Sequence, residues 1–323
     1  MSEILDLEPA PARVLTAMIT PFHDDGRLNH KAAQQLAEYL VGHGSDGLVL
    51  AGTTGESPTL RPRDHLDLFD VVREAVGSEV LLLGGTGSNN TEEAVELTRE
   101  ASSDARGSVD GFLVVSPYYN KPSQFGILDY YTQVAGATDK PITLYNIPGR
   151  TGKLVELDTI KRLAEAGMIA GVKDATGNTD MAEVLHQQFG ADLAIYSGDD
   201  SLNLAFARVG AVGGISVASG WAGVLMGRMF DAHSSGDSER AELIQEALMP
   251  SAEFESVHTD ASGQLRDTPN PIPANVITQH ILPTVAIGEC RPPMIASPED
   301  MAYLKERAVQ ILADLQIAEA SFA

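Results

Sequence analysis

The sequence predicts a (β/α)8 barrel of the TIM type with a C-terminal helical extension. Three observations carry that prediction. Eight short apolar runs recur at 14–20, 47–50, 80–84, 111–116, 141–146, 169–173, 194–197 and 213–217. From the second run onward, successive starts lie 33, 31, 30, 28, 25 and 19 residues apart, the length of one strand plus one helix. The runs are apolar at both parities, as in Leu81-Leu82-Leu83 and Phe112-Leu113-Val114-Val115, the pattern of strands covered on both faces.

Each element has its own signal. Between the first two runs, segment 29–43 places Ala33, Leu36, Ala37, Leu40 and Val41 on one helical face. Thr91-Glu92-Glu93-Ala94 opens another helix, with Thr91 expected as its cap and acids in its first turn. An open doubly wound sheet is the competing architecture. It would place Gly-x-Gly-x-x-Gly after the first strand, where this chain has Met18-Ile19-Thr20-Pro21-Phe22-His23. Beyond Trp221 the chain reads as helical, with amphipathic segments at 238–249 and 298–317. Segment 256–273, rich in Ser, Thr, Asp, Asn and Pro, reads as a loop. Three regions follow: an N-terminal extension over 1–12, the barrel over 13–235 and a helical region over 236–323.

Composition narrows the function. The 323 residues are 43% hydrophobic and 21% charged, which excludes a disordered chain. No apolar run reaches membrane-spanning length, and residues 1–12 carry Glu3, Asp6 and Glu8 without the basic stretch of a secretory signal. The formal net charge of −23 argues against a nucleic-acid partner. Such a field also repels small anions, so a pocket for an anionic substrate must carry its own positive charge. A salt-rich cytosol would account for the acidity, and GC-rich codon usage for the excess of 15 Arg over 7 Lys; both explanations stay open. Cys290, the single cysteine, forms no internal disulfide and belongs to no Cys/His zinc pattern, so it reads as an inert thiol in a reducing cytoplasm.

In such a barrel, chemistry sits at the C-terminal ends of the strands. The ends here are Gly52-Thr53-Thr54-Gly55-Glu56-Ser57, Ser116-Pro117-Tyr118-Tyr119-Asn120, Tyr145-Asn146-Ile147-Pro148-Gly149-Arg150-Thr151-Gly152, Val172-Lys173-Asp174-Ala175-Thr176-Gly177, Ser197-Gly198-Asp199-Asp200 and Gly213-Gly214-Ile215-Ser216. They hold hydroxyls, glycines and two cations, not the carboxylate or histidine sets of a metal site. Lys173 ends an otherwise apolar strand. Desolvation disfavours an ammonium and frees the amine lone pair for attack on a carbonyl, which is how a Schiff-base lysine is made; a structural lysine paired to Asp174 is the alternative. Thr53-Thr54 between glycines is either a carboxylate nest or a turn with a helix cap. Arg150 either grips a carboxylate or is a solvated loop arginine. Tyr145, Tyr118 and Tyr119 either move protons or pack.

Taken together, these strand ends resemble the dihydrodipicolinate synthase branch of the Schiff-base aldolase superfamily that includes N-acetylneuraminate lyase. The resemblance runs from about Val14 to Ala232 and rests on five motifs in order: Gly52-Thr-Thr-Gly-Glu-Ser, Ser116-Pro-Tyr-Tyr-Asn, Tyr145-Asn-Ile-Pro-Gly-Arg-Thr-Gly, Gly171-Val-Lys-Asp-Ala-Thr-Gly and Ser197-Gly-Asp-Asp. It implies condensation of pyruvate with L-aspartate 4-semialdehyde to 4-hydroxy-tetrahydrodipicolinate, in lysine and diaminopimelate biosynthesis, without metal or nicotinamide. Lys173 would carry the Schiff base. Thr53, Tyr145 and Tyr119 would form a proton relay, with Tyr119 reaching in from a neighbouring subunit. Thr53-Thr54 would hold the pyruvate carboxylate and Arg150 that of the aldehyde, while Gly198 and Ile215 line the pocket. The resemblance also implies a lysine inhibitory site at Ser57, His65, Asn89, Glu93 and Tyr118, with Glu93 facing the ligand amine, and a homodimer or homotetramer. For that site the bland alternative is that His65 and Glu93 are ordinary helix-surface residues. Arg150 and Thr53-Thr54 favour the synthase over a sibling lyase or aldolase acting on a sugar acid or keto acid, and the complete residue set argues against a non-catalytic paralogue. The C-terminal region departs from the family pattern: Asn270-Pro-Ile-Pro-Ala-Asn275 lacks the lysine expected at its end, and 256–268 looks inserted.

Overall fold

The computed structural model describes residues 12–103, 107–255, 258–259, 263–266 and 268–323. Residues 1–11 lie outside it, and with them the expectation that the chain start is no secretory signal. Eight strands form a closed parallel barrel in sequence order: β1 (Val14–Ala17), β2 (Gly47–Leu50), β3 (Leu81–Gly85), β4 (Gly111–Val115), β5 (Ile142–Asn146), β6 (Gly171–Asp174), β7 (Ala194–Ser197) and β8 (Gly213–Ser216), with β8 closing on β1. Every predicted apolar run meets one strand, with β3 and β6 each running one residue past the predicted end, to Gly85 and Asp174. The first ends at Ala17 instead of Thr20, although the next amide, that of Met18, still donates to the Val49 carbonyl at 3.0 Å.

The two-parity pattern has a direct structural cause. Alternate residues point inward, and Leu15, Val49, Leu83, Leu113, Tyr145, Tyr196 and Ile215 fill the barrel. Their neighbours, among them Leu48, Leu82, Phe112, Val114, Leu144 and Val172, face the surrounding helices in a second core. That ring comprises α1 (His30–Gly42), α2 (Pro62–Val76), α3 (Thr91–Ala101), α4 (Gln124–Ala135), the short α5 (Pro148–Thr151), α6 (Leu157–Glu165), α7 (Asp180–Phe189), α8 (Asn203–Arg208) and α9 (Ser219–Ser234). In α1, Ala33, Leu36, Ala37 and Leu40 are buried as the spacing predicts, and the Asn29 side chain accepts from the Ala32 amide at its start. The cap of α3 is Asn90 and not Thr91. Its Oδ1 accepts from the Glu92 amide at 3.1 Å, which makes Thr91 the first helical residue.

The C-terminal region contains α10 (Ser238–Phe254), α11 (Ile272–Ile281) and α12 (Pro298–Ser321). Segment 256–273 is not all loop. Strands β9 (His258–Thr259) and β10 (Leu265–Arg266) pair antiparallel within it, and α11 already begins at Ile272. The buried Arg266 guanidinium anchors β10: it lies over the Tyr303 ring and pairs with Glu299 and Asp300 at the start of α12. Asn275, where the family pattern has lysine, is also buried. Its amide donates to the Gly288 carbonyl at 3.0 Å while its oxygen accepts from Gln279, so the position calls for a donor and an acceptor together. Gly288 itself needs to be glycine: it sits at φ 73°, and a Cβ there would lie 2.0 Å from the Phe22 carbonyl oxygen. Among the described residues no helix is long and apolar enough to cross a membrane.

Candidate active site

Parallel pairing sets the centre of the site. Tyr145 stands beside Lys173, and Lys173 beside Tyr196, at the top of the barrel interior. Lys173 is 5% exposed, and its Nζ lies 4.4 Å from the centroid of the Tyr145 ring. It has no ion-pair partner among the described residues. The alternative of a Lys173–Asp174 pair fails on alternation, since adjacent strand residues point to opposite faces. Asp174 instead accepts from the Thr176 amide at 2.9 Å, and its second oxygen is buried without a hydrogen-bond partner among the described residues. Burial raises the Asp174 carboxyl above the usual carboxylate range.

Thr53 and Thr54 lie on the turn after β2. No side chain caps the 3-10 turn Ser57–Thr59 that follows, so the helix-cap alternative is not realised. The turn is held from behind, where the Thr20 hydroxyl donates to the Gly55 carbonyl at 2.7 Å. The amides of Thr53 and Thr54 have no acceptor among the described residues, as a carboxylate nest requires. Non-glycine residues at positive φ flank both loops of the mouth: Ala51 and Glu56 around this turn, and Tyr119 and Lys121 after β4. Such backbone strain collects at functional sites.

Arg150 is on α5, directly after β5. It is neither buried nor free, because its Nη2 donates to the Asn270 carbonyl at 2.9 Å. The Asn270 side chain donates to the Thr54 hydroxyl at 2.9 Å. One C-terminal residue thus spans the two predicted anion grips. Asn270 was legible in the Asn-Pro-x-Pro motif, but nothing in the sequence tied that motif to the barrel mouth. Two joined cavities occupy the mouth, of about 220 and about 260 Å³. They share Gly52, Thr53, Leu113, Tyr145, Ile147 and Arg150; the first adds, among others, Ser57 and Tyr118, and the second adds, among others, Thr54, Lys173, Gly198, Asp199, Glu255 and Asn270. Ile215 is buried in the inner layer beneath them.

The remaining candidates separate. Tyr119 is 86% exposed and lines neither cavity of its own chain. Ser57 and Tyr118 line the first cavity, whereas Asn89 lines a different surface cavity beside Asn90 and Thr91. Glu93 is exposed and accepts from the Ser88 hydroxyl at 2.9 Å. His65 is buried and so is not a helix-surface residue; its ring nitrogens lie 3.0 Å from the Gly85 carbonyl and 3.3 Å from the Ser57 carbonyl. Burial holds its imidazole below the usual range. Glu56, between the nest and Ser57, is buried and accepts from the Arg291 amide at 2.7 Å. Burial pushes its carboxyl up to about 7, against the opposing pull of that amide, of Cys290 and of the Arg291 charge. Among the described residues no three His, Cys, Asp or Glu side chains converge as a metal site would require.

The sequence matches the model of the dihydrodipicolinate synthetase family over residues 10–312. It is 43% identical over 288 residues to the 4-hydroxy-tetrahydrodipicolinate synthase of Acaryochloris marina (strain MBIC 11017), covering 89% of this chain and 93% of that protein. The fold superimposes on dihydrodipicolinate synthase from Cyanidioschyzon merolae with lysine bound, with TM-score 0.84, 36% identity, and 94% and 98% of the two chains covered. It also superimposes on the chloride-inhibited synthase from Acinetobacter baumannii complexed with pyruvate, with TM-score 0.83, 30% identity, and 95% and 99% covered.

Proposed function

The chain belongs to the dihydrodipicolinate synthetase family, and we propose that it condenses pyruvate with L-aspartate 4-semialdehyde through a Schiff base on Lys173. The observation that carries this reading is the buried amine of Lys173, without an ion-pair partner among the described residues, beside Tyr145 and between the two proposed anion grips. The amine adds to the keto carbon of pyruvate, and water leaves. Loss of a methyl proton gives an enamine, whose carbon attacks the aldehyde. The amino group of the adduct then attacks the imine carbon, closes the ring and displaces Lys173, giving 4-hydroxy-tetrahydrodipicolinate for lysine and diaminopimelate synthesis. No bound cofactor is needed, because the iminium is the electron sink.

In this scheme the amides and hydroxyls of Thr53 and Thr54 hold the pyruvate carboxylate, and Arg150 holds that of the aldehyde. Tyr145 and Thr53 pass protons to and from the reacting carbons. Tyr119, exposed on a strained loop, completes the relay in a neighbouring subunit, so the working unit is at least a dimer and a homotetramer is the expected form. Gly198 and Ile215 shape the wall. L-lysine binds at Ser57, His65, Asn89, Glu93 and Tyr118, a set that a single chain divides between separate surfaces and that a subunit interface would unite. The barrel occupies 13–235 and the helical region 236–323 as structural units, and the enzyme works in the cytoplasm.

Borohydride reduction in the presence of pyruvate tests the scheme. Intact-mass analysis should show one added 1-carboxyethyl group per chain, and peptide mapping should place it on the Lys173 amine; an unmodified chain, or the label on another lysine, overturns it. Activity of the intact protein should fall on titration with L-lysine, and indifference to millimolar lysine would remove the inhibitory site alone.

A further inference from the structure

The second cavity contains a carboxyl group with no assigned role. Glu255 follows α10 and lines that cavity together with Lys173, Arg150, Asp199 and Asn270. Its Oε1 accepts from the Ala218 amide at 3.1 Å. The same amide donates to Asp200 Oδ2 at 2.9 Å, and the two carboxyl groups lie within hydrogen-bonding reach of one another. Asp200 is otherwise saturated with donors: the Val217 amide at 3.0 Å, the Asn203 side chain at 2.9 Å and the Ser216 side chain. Asp200 is buried and Glu255 half-buried; two carboxyls in contact away from bulk water do not both ionise readily, and the one with more donors keeps the charge.

We propose that Glu255 is held as a neutral carboxylic acid, its proton shared with Asp200, so that no second anion enters the cavity of Lys173. Glu255 is a positioning residue: it acts through Asp200 and through the charge it withholds. This inference rests on the Schiff-base role of Lys173. An anion facing that amine would stabilise the ammonium over the free amine that attacks pyruvate. The charged groups facing Glu255 agree with the assignment. Asp200 and Asp199 on the loop after β7 both oppose its ionisation, and only Lys173 on β6 favours it. Burial is the largest influence and acts the same way, raising Glu255 well above its ordinary range. Burial also works to raise Asp200, but its hydrogen bonds outweigh that and hold it low.

The test follows pyruvate trapping on the full-length enzyme as a function of pH. Glu255→Gln keeps a neutral side chain that can donate to Asp200, so the midpoint of the acid limb should stay within ~0.3 pH units of wild type. Asp200→Asn removes the charge that detains the proton and lets Glu255 ionise beside Lys173, so the midpoint should rise by about one unit. The double variant should return it to the wild-type value, which a merely structural role would not do. Isotope-edited infrared spectra of wild type should contain a protonated carboxylic acid band that Glu255→Gln removes, a readout that survives if Asp200→Asn fails to fold. A fall of a unit or more in Glu255→Gln, an Asp200→Asn midpoint equal to wild type, or absence of the band overturns the proposal. No trapping in wild type at any pH would overturn the Schiff-base scheme instead, and the infrared band would still decide the protonation of Glu255.

Discussion

Glu56 should make the protein less stable as pH rises through neutrality. Its carboxyl is 4% exposed, sits at φ 58° and is raised from 4.5 to about 7 by burial. The folded state therefore holds a proton up to about pH 7 that the unfolded chain releases near 4.5. Between those values the folded state binds more protons, so stability declines with rising pH, and the penalty is complete above about 7. Each pH unit of that interval corresponds to about 1.4 kcal/mol. The full interval gives ~3 kcal/mol, which solvent screening at the edge of the group reduces to ~2 kcal/mol. Glu56→Gln keeps the acceptor for the Arg291 amide and cannot ionise. Equilibrium urea unfolding of both proteins between about pH 5 and about pH 8 isolates this group from the other acids. The variant should gain ~2 kcal/mol on wild type across that window. A difference that stays flat with pH, or that shrinks, would refute the argument that burial outweighs Arg291 at this site.

Two further outcomes follow from the geometry. Asn270→Ala removes the bond to the Thr54 hydroxyl but leaves the backbone carbonyl that Arg150 uses, so the loss should be about 1–1.5 kcal/mol, or roughly tenfold in kcat/KM. Steady-state kinetics with both substrates would read it, and an unaltered kcat/KM would mean that Asn270 does not organise the nest. Tyr119→Phe and Lys173→Ala should each be nearly inactive alone, yet recover activity when unfolded together and reassembled, because a mixed dimer contains one intact site; failure of mixed assemblies to regain activity would place Tyr119 outside its neighbour's site.

Most of the barrel was legible because buried parallel strands write a simple signal. Runs such as Leu81-Leu82-Leu83 must be apolar at every position, and their spacing counts helices. Lys173 was legible for the same reason, as a cation at the end of such a run. Local choices were less so. Thr91 and Asn90 are both competent caps, and only the backbone angle of Asn90 decides between them. The β9–β10 ladder was hidden because it is two residues long on each side and is fixed by Arg266 reaching α12, a contact that leaves no periodicity. Glu255 and Asn270 were missed as site residues because long-range packing alone brings the C-terminal region to the barrel mouth. For His65 the alternative of a helix-surface residue stayed open, since a helix pattern does not say which polar residue turns inward to meet carbonyls at Gly85 and Ser57.

The overall charge and the site are at odds until protonation is considered. A chain with net charge −23 should repel two carboxylate substrates. Among the described residues, Glu56, Asp174 and Glu255 stand at or near the barrel mouth without ion pairs, and burial raises all three. Asp200 stays ionised, but its charge is spent on the amides of Val217 and Ala218 and on the side chain of Asn203. What faces the cavity is then Lys173, Arg150, the amides of the Thr53-Thr54 turn, which have no acceptor among the described residues, and one further carboxyl, Asp199, which accepts from the Ser201 amide and hydroxyl. Each acid that burial shifts toward its neutral form removes negative charge from around the two cations, Lys173 and Arg150. Burial near the mouth is therefore part of substrate binding, and a substitution that lets water reach Glu255 or Glu56 would weaken the hold on both anions without touching either grip.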